Sequence, residues 1–139
     1  MKPVWEKPSD LLKNLRAQRR TEMEHIKALK PTINAVSDRL AIALLESIIQ
    51  DSKKHAALCT ALIDIERGAV RREMDVGDVI DLAQALEEHI DVEAKMIQAL
   101  EAMVNTSPDD RTRVILGYML SDERRHHSIL KRILEHFIY

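Results

Sequence analysis

Apolar side chains recur every three to four positions in four long blocks. These are Leu11, Leu15, Ile26 and Leu29; Leu44, Ile48, Cys59 and Leu62; Leu82, Leu86, Ile97 and Leu100; and Met119, Leu130, Ile133 and Phe137. That spacing is the period of a helix with one buried face, and no stretch shows the alternation a half-buried strand requires. The punctuation between blocks predicts helices over about 9–30, 34–67, 78–104 and 108–138. After a leader marked by Pro3 and Pro8, Ser9 reads as a helix cap and Pro31 as the interruption. Gly68 is the natural stop of the second helix. The third starts near Asp78, after Gly77. Ser107-Pro108-Asp109-Asp110 then opens the fourth, with a capping serine, a proline in the first turn and acids at the positive end of the helix dipole.

Four amphipathic helices with short links predict an all-α fold, an antiparallel four-helix bundle, formed as a single domain over 1–139. No internal repeat or low-complexity tract stands out. The link Gly68 to Gly77 spans at most about 35 Å when extended, while crossing a long bundle takes about 40 Å, so an up-down-up-down path is easier than a crossover. Composition supports a soluble helical chain, with 45% hydrophobic and 32% charged residues but only three glycines. Neither an apolar run long enough for a bilayer nor a signal-peptide core is visible, so no membrane partner is expected and the cytoplasm is the expected compartment. The lone Cys59 offers no internal disulfide and no Cys-x-x-Cys centre. A net charge of −2 gives no basic field, and the clusters Arg16, Arg19, Arg20 and Arg71, Arg72 lack interleaved aromatics. Nucleic acid is therefore not an expected partner.

Stepping about 100° per residue from each apolar face places the ionisable groups. Glu22 falls near the centre of the first helix's stripe, with His25 at its edge and Glu24 outward. On the second helix His55 is central, Asp51 and Ser52 flank it, and Glu46 points away. On the third, Glu93 is central, His89 lies on the flank and Glu88 faces solvent. On the fourth, Glu123 and His126 are central, with Asp122 and His127 on the shoulders. Each helix thus directs a carboxylate, a histidine or both inward near its middle. Burying a carboxylate uncompensated costs several kcal/mol, so a cation is expected to neutralise the cluster. Two divalent ions carry a charge of +4, which Glu22, Asp51, Glu93 and Glu123 would balance, while His55 and His126 supply terminal imidazoles. His25 and His89 are further candidate ligands, or groups that orient the carboxylates.

These residues resemble the ferritin-like superfamily, in particular the small rubrerythrin-like di-iron carboxylate proteins. The resemblance implies a glutamate from the first helix, Glu-x-x-His from the second, a glutamate from the third and Glu-x-x-His from the fourth. Glu22, His55, Glu93, Glu123 and His126 match that order. The second helix departs from it, with Ser52 where the family has glutamate and Asp51 the nearest carboxylate. As the resemblance implies, the cofactor is two metal ions, Fe first, with Mn or Zn as alternatives. The activity is oxidation of Fe(II) or reduction of O2 or peroxide. Because no rubredoxin domain is present, turnover would draw on a separate electron donor. The contrasting readings are metal storage or sensing, and a non-catalytic helical interaction module with a buried polar network. That module would dimerise through exposed Ile63, Ile65, Val92 and the Phe137-Ile138 tail; a homo-oligomer, a dimer, is expected.

Overall fold

Two three-residue links set the architecture. α1 (Pro8–Ala35) and α2 (Arg39–Glu66) flank Val36-Ser37-Asp38, and α3 (Val76–Thr106) and α4 (Asp110–Ile133) flank Ser107-Pro108-Asp109. The last helix continues as one π-helical turn, Leu134–Ile138. The computed structural model describes residues 8–69 and 74–138, with side chains over 10–69 and 74–136. The Pro3 leader, the Ser9 side chain, Arg71 and Arg72, and the side chains of Phe137 and Ile138 lie outside the described residues. The fold is all-α, with four helices and no strand among the described residues. No helix of the described residues is long and apolar enough to cross a membrane.

Three boundaries are decided by residues other than those expected. α1 runs through Pro31 to Ala35. Pro31 removes a single amide donor, which one remaining helical turn tolerates. α2 starts at Arg39 because Asp38 accepts from the Ala41 amide at 2.9 Å, a cap stronger than anything near Asn34. α4 is capped by Asp109, not Ser107: its carboxylate accepts from the Thr112 amide at 2.8 Å and the Thr112 hydroxyl at 2.7 Å. Those two bonds hold the Asp109 carboxyl below its ordinary pKa, the hydroxyl contributing most. Ser107 instead closes α3, its amide donating to Met103 at 3.0 Å, and Pro108 blocks further helix. The stop at Gly68 is as anticipated. With φ of 76°, Gly68 donates to Ile65, and the next amide, of Ala69, donates to Asp64. This paired closure satisfies the last carbonyls of α2. Replacing Asp38 with alanine is expected to lower stability by about 1 kcal/mol. Urea denaturation of Asp38→Ala checks this, and an unchanged midpoint would rule out a structural role for the cap.

The chain divides into two compact units, Met1–Arg72 and Glu73–Tyr139, and each contains one helical hairpin. In the first, α1 packs on α2 with Arg19 reaching Thr60, Glu22 reaching His55 and His25 reaching Ser52. Partner numbers fall as α1 numbers rise, so the helices are antiparallel. In the second, α3 packs on α4, with Glu101 bound to Arg124 at 2.8 Å.

The two hairpins are in register at a constant offset of 71 residues. That offset carries the end of α1 at Ala35 onto the end of α3 at Thr106, and the start of α2 at Arg39 onto that of α4 at Asp110. It carries the cap Asp38 onto the cap Asp109, buried Ile49 onto buried Leu120, and Leu15 and Leu29 onto buried Leu86 and Leu100. The chain therefore has the internal repeat that did not stand out in its sequence. Few residues are identical, and a repeat of helical period is masked by the shorter period inside each helix.

Each hairpin buries the seam between its two helices. On α2 that seam is Ile49, Ser52, Cys59 and Ile63. The expected inward line was one position away, through Ile48 and Leu62, and both are exposed, as is Leu58. Ile63, expected on an exposed face, is 3% exposed. Periodicity reveals that α2 has an apolar side, but that side is broad, and only packing against α1 selects which line of it is buried. Met96, Met103 and Met119, the last of them on the expected apolar line of α4, are likewise exposed, whereas Cys59 on the line of α2 is buried.

Candidate metal centre

In the second hairpin, α3 brings Glu93 and α4 brings Glu123 and His126 to one place on the seam. One ligand atom from each lies within 4.8 Å of the other two, and all three residues are half-buried. Glu123 and His126 are one helical turn apart, so their heads emerge side by side, with His126 Nδ1 3.7 Å from Glu123 Oε2. That is beyond a hydrogen bond. Glu93 Oε2 and Glu123 Oε2 are buried without a hydrogen-bond partner.

Two carboxyls facing each other under partial burial resist being charged together. The pKa of Glu123 is accordingly raised above its ordinary value. The largest cause is the facing Glu93 carboxyl, which favours a proton held between the two groups; burial and repulsion between the charged forms add to it, and His126 opposes them. Such a pair is stabilised by a shared proton or by a cation. Ligands held about 2.0–2.2 Å from a Zn-sized ion lie roughly 3–4.4 Å from one another, so small side-chain rotations bring this set into coordination distance. His89, exposed on α3, lines with Glu93, His126, Ile129 and Leu130 an open cleft of about 380 Å³ beside the cluster. The donor set therefore fits a transition-metal ion and leaves access for a small molecule.

The first hairpin places its polar groups differently. Glu22 is 8% exposed, as its central position on α1 predicts, and accepts a 2.8 Å hydrogen bond from Nδ1 of His55. His55 is not central as expected: its side chain is 57% exposed. Ser52 holds the buried position at 4% exposure, because α2 packs along the seam one position from the expected line. Ser52 Oγ lies 3.2 Å from Nδ1 of exposed His25. Asp51 pairs with Lys54 at 3.4 Å on the flank of α2, and Asp122 pairs with Arg125 on α4.

Of the eight residues singled out from the sequence, Glu93, Glu123 and His126 thus form one cluster, with His89 on the adjoining cleft. Glu22 with His55, and His25 with Ser52, form separate hydrogen-bonded pairs, and Asp51 is engaged by a lysine. Ser52 was visible in the sequence only as a missing glutamate. The signal that reveals its place is the 71-residue register, in which positions 22, 52 and 55 correspond in sequence to Glu93, Glu123 and His126. No protein-family model, no curated protein and no solved structure matches the chain.

Proposed function

We propose that the protein binds a divalent transition metal through Glu93, Glu123 and His126, in the manner of ferritin-like, rubrerythrin-like carboxylate proteins. Fe(II) is the first candidate ion. The observation that supports this is the pair of buried, unpartnered carboxylate oxygens beside an imidazole. Two carboxylates neutralise a dication, the imidazole adds a donor suited to Fe, Mn or Zn, and the remaining positions stay open to a small oxidant. Bound iron would supply one-electron chemistry: four Fe(II) reduce one O2, with four protons, to two waters, and two Fe(II) reduce one H2O2, with two protons, to two waters. Of the other residues expected as ligands, Glu22 and His55 belong to the first hairpin. Those two residues already satisfy each other.

Anaerobic loading with Fe(II), followed by O2 or H2O2, tests the reading. The expected result is stoichiometric iron binding and oxidation faster than that of the same iron in buffer. Loading without faster oxidation restricts the function to metal binding. Failure to load Fe, Mn or Zn refutes it.

A further inference from the structure

We propose that the two hairpins are copies of one metal-binding unit and that the first has lost its ion by exchanging a carboxylate for Ser52. The chain then takes one tightly held divalent cation, in the second hairpin, and not two. This rests on the metal reading of Glu93, Glu123 and His126.

The register carries the argument. Glu22 corresponds to Glu93 and His55 to His126, each 71 residues on, so two of the three ligand positions are matched in the first hairpin. The third position holds Ser52 in place of the carboxylate of Glu123. A neutral hydroxyl removes one negative charge, leaving one carboxylate where a dication needs about two. A second difference at matching positions compensates: His25 stands where the second hairpin has Met96. His25 reaches the Ser52 hydroxyl at 3.2 Å, whereas Met96 is 41% exposed and brings no such donor or acceptor. Glu22, left as the only acid of its set, is matched by His55 at 2.8 Å. The two differences therefore convert a site lacking positive charge into two closed hydrogen-bonded pairs. The corresponding groups of the second hairpin, Glu93 Oε2 and Glu123 Oε2, keep no partner. A lost carboxylate and a gained imidazole at facing positions are what exchange of an ion for internal hydrogen bonds requires.

Zn2+, which is redox-silent, is the probe. Equilibrium dialysis with metal analysis is expected to give one tightly bound zinc per wild-type chain and two in Ser52→Glu, which reproduces the second hairpin's set in the first. Ser52→Glu should also melt at a lower temperature without zinc and gain more than wild type when zinc is added. A helical Ser52→Glu protein that stays at one zinc overturns the proposal, as does a wild-type count of two that falls to one on Glu22→Gln. A wild-type count of zero refutes the second-hairpin site instead. In that case one zinc in Ser52→Glu still supports the exchange, and none overturns it.

The reciprocal variant, Glu123→Ser with Met96→His, keeps the test decisive if Ser52→Glu does not fold. It is expected to lose the zinc while its zinc-free melting temperature is unchanged or higher. Retained zinc, or a zinc-free protein that melts lower than wild type, counts against the closed-pair explanation.

Discussion

Glu123→Gln is expected to act in opposite directions on the metal-loaded and metal-free protein. Removing a charged ligand should weaken Zn2+ or Fe(II) binding by at least about 100-fold, since loss of an outer hydrogen-bond partner alone commonly weakens binding 10–100-fold. Without metal the same change should stabilise the fold. Glu93 and Glu123 are opposed carboxyls, each with a buried oxygen that lacks a partner. Glutamine preserves the volume, removes one charge and offers an N–H to the Glu93 carboxylate. Relieving a buried unsatisfied group is worth about 1–3 kcal/mol, a rise of several degrees in melting temperature for a chain of this size. His126→Ala should lose metal without that metal-free gain, and Glu88→Ala, on the solvent side of α3, should change neither property. Calorimetric titration and paired melting curves measure both effects. If Glu123→Gln melts lower than wild type without metal, the carboxylate pair is not the source of strain.

The second large effect is a dependence of stability on pH that metal reverses. The folded-state pKa of Glu123 is raised, so between the ordinary glutamate range and that raised value the folded chain keeps a proton the unfolded chain releases. Stability falls with pH wherever the folded state holds more protons. The penalty is absent below the ordinary range and fully present above the raised value. Metal-free wild-type protein should therefore lose melting temperature as pH rises through this window, and Glu123→Gln should show a flatter profile. Asp109 has the opposite sign at lower pH: its depressed pKa gives stability that is lost as pH falls through the depressed value. The two trends occupy different pH ranges. Zinc must displace the proton, so its affinity rises with pH, and at about 100 times the dissociation constant it adds about 2.7 kcal/mol. With excess zinc the slope through the window should reverse. Parallel wild-type and Glu123→Gln profiles in the absence of metal would falsify the assignment.

How much of this was legible in the sequence varies by helix. For α3, the inward placement of Glu93 follows from the line of Leu86 and Leu100, both buried; on α4 Leu120 is buried in place of the expected Met119, yet Glu123 and His126 still lie half-buried. For α2 the placement does not follow. Ile48, Ile49, Leu58, Cys59, Leu62 and Ile63 form an apolar arc wide enough to point at Ser52 or at His55, and only the approach of α1 decides for Ser52. The caps Asp38 and Asp109 were present as residue types but lost to nearer proline signals. Capping depends on which side chain reaches an open amide, and that is settled by the path of the link.

The sequence by itself determined the helical class, the four segments and the stop at Gly68, because these depend on local period, capping chemistry and the freedom of glycine at positive φ. It also supplied the carboxylate and imidazole side chains near mid-helix that are capable of ligating a metal. Only the tertiary structure decided which of them meet. Helix pairing brings Glu93 to Glu123 and His126, turns Ser52 rather than His55 into the seam, and joins Glu22 to His55 as a pair. Ligand geometry is a matter of ångströms between separate helices, and no periodicity within one helix specifies how its neighbour is rotated.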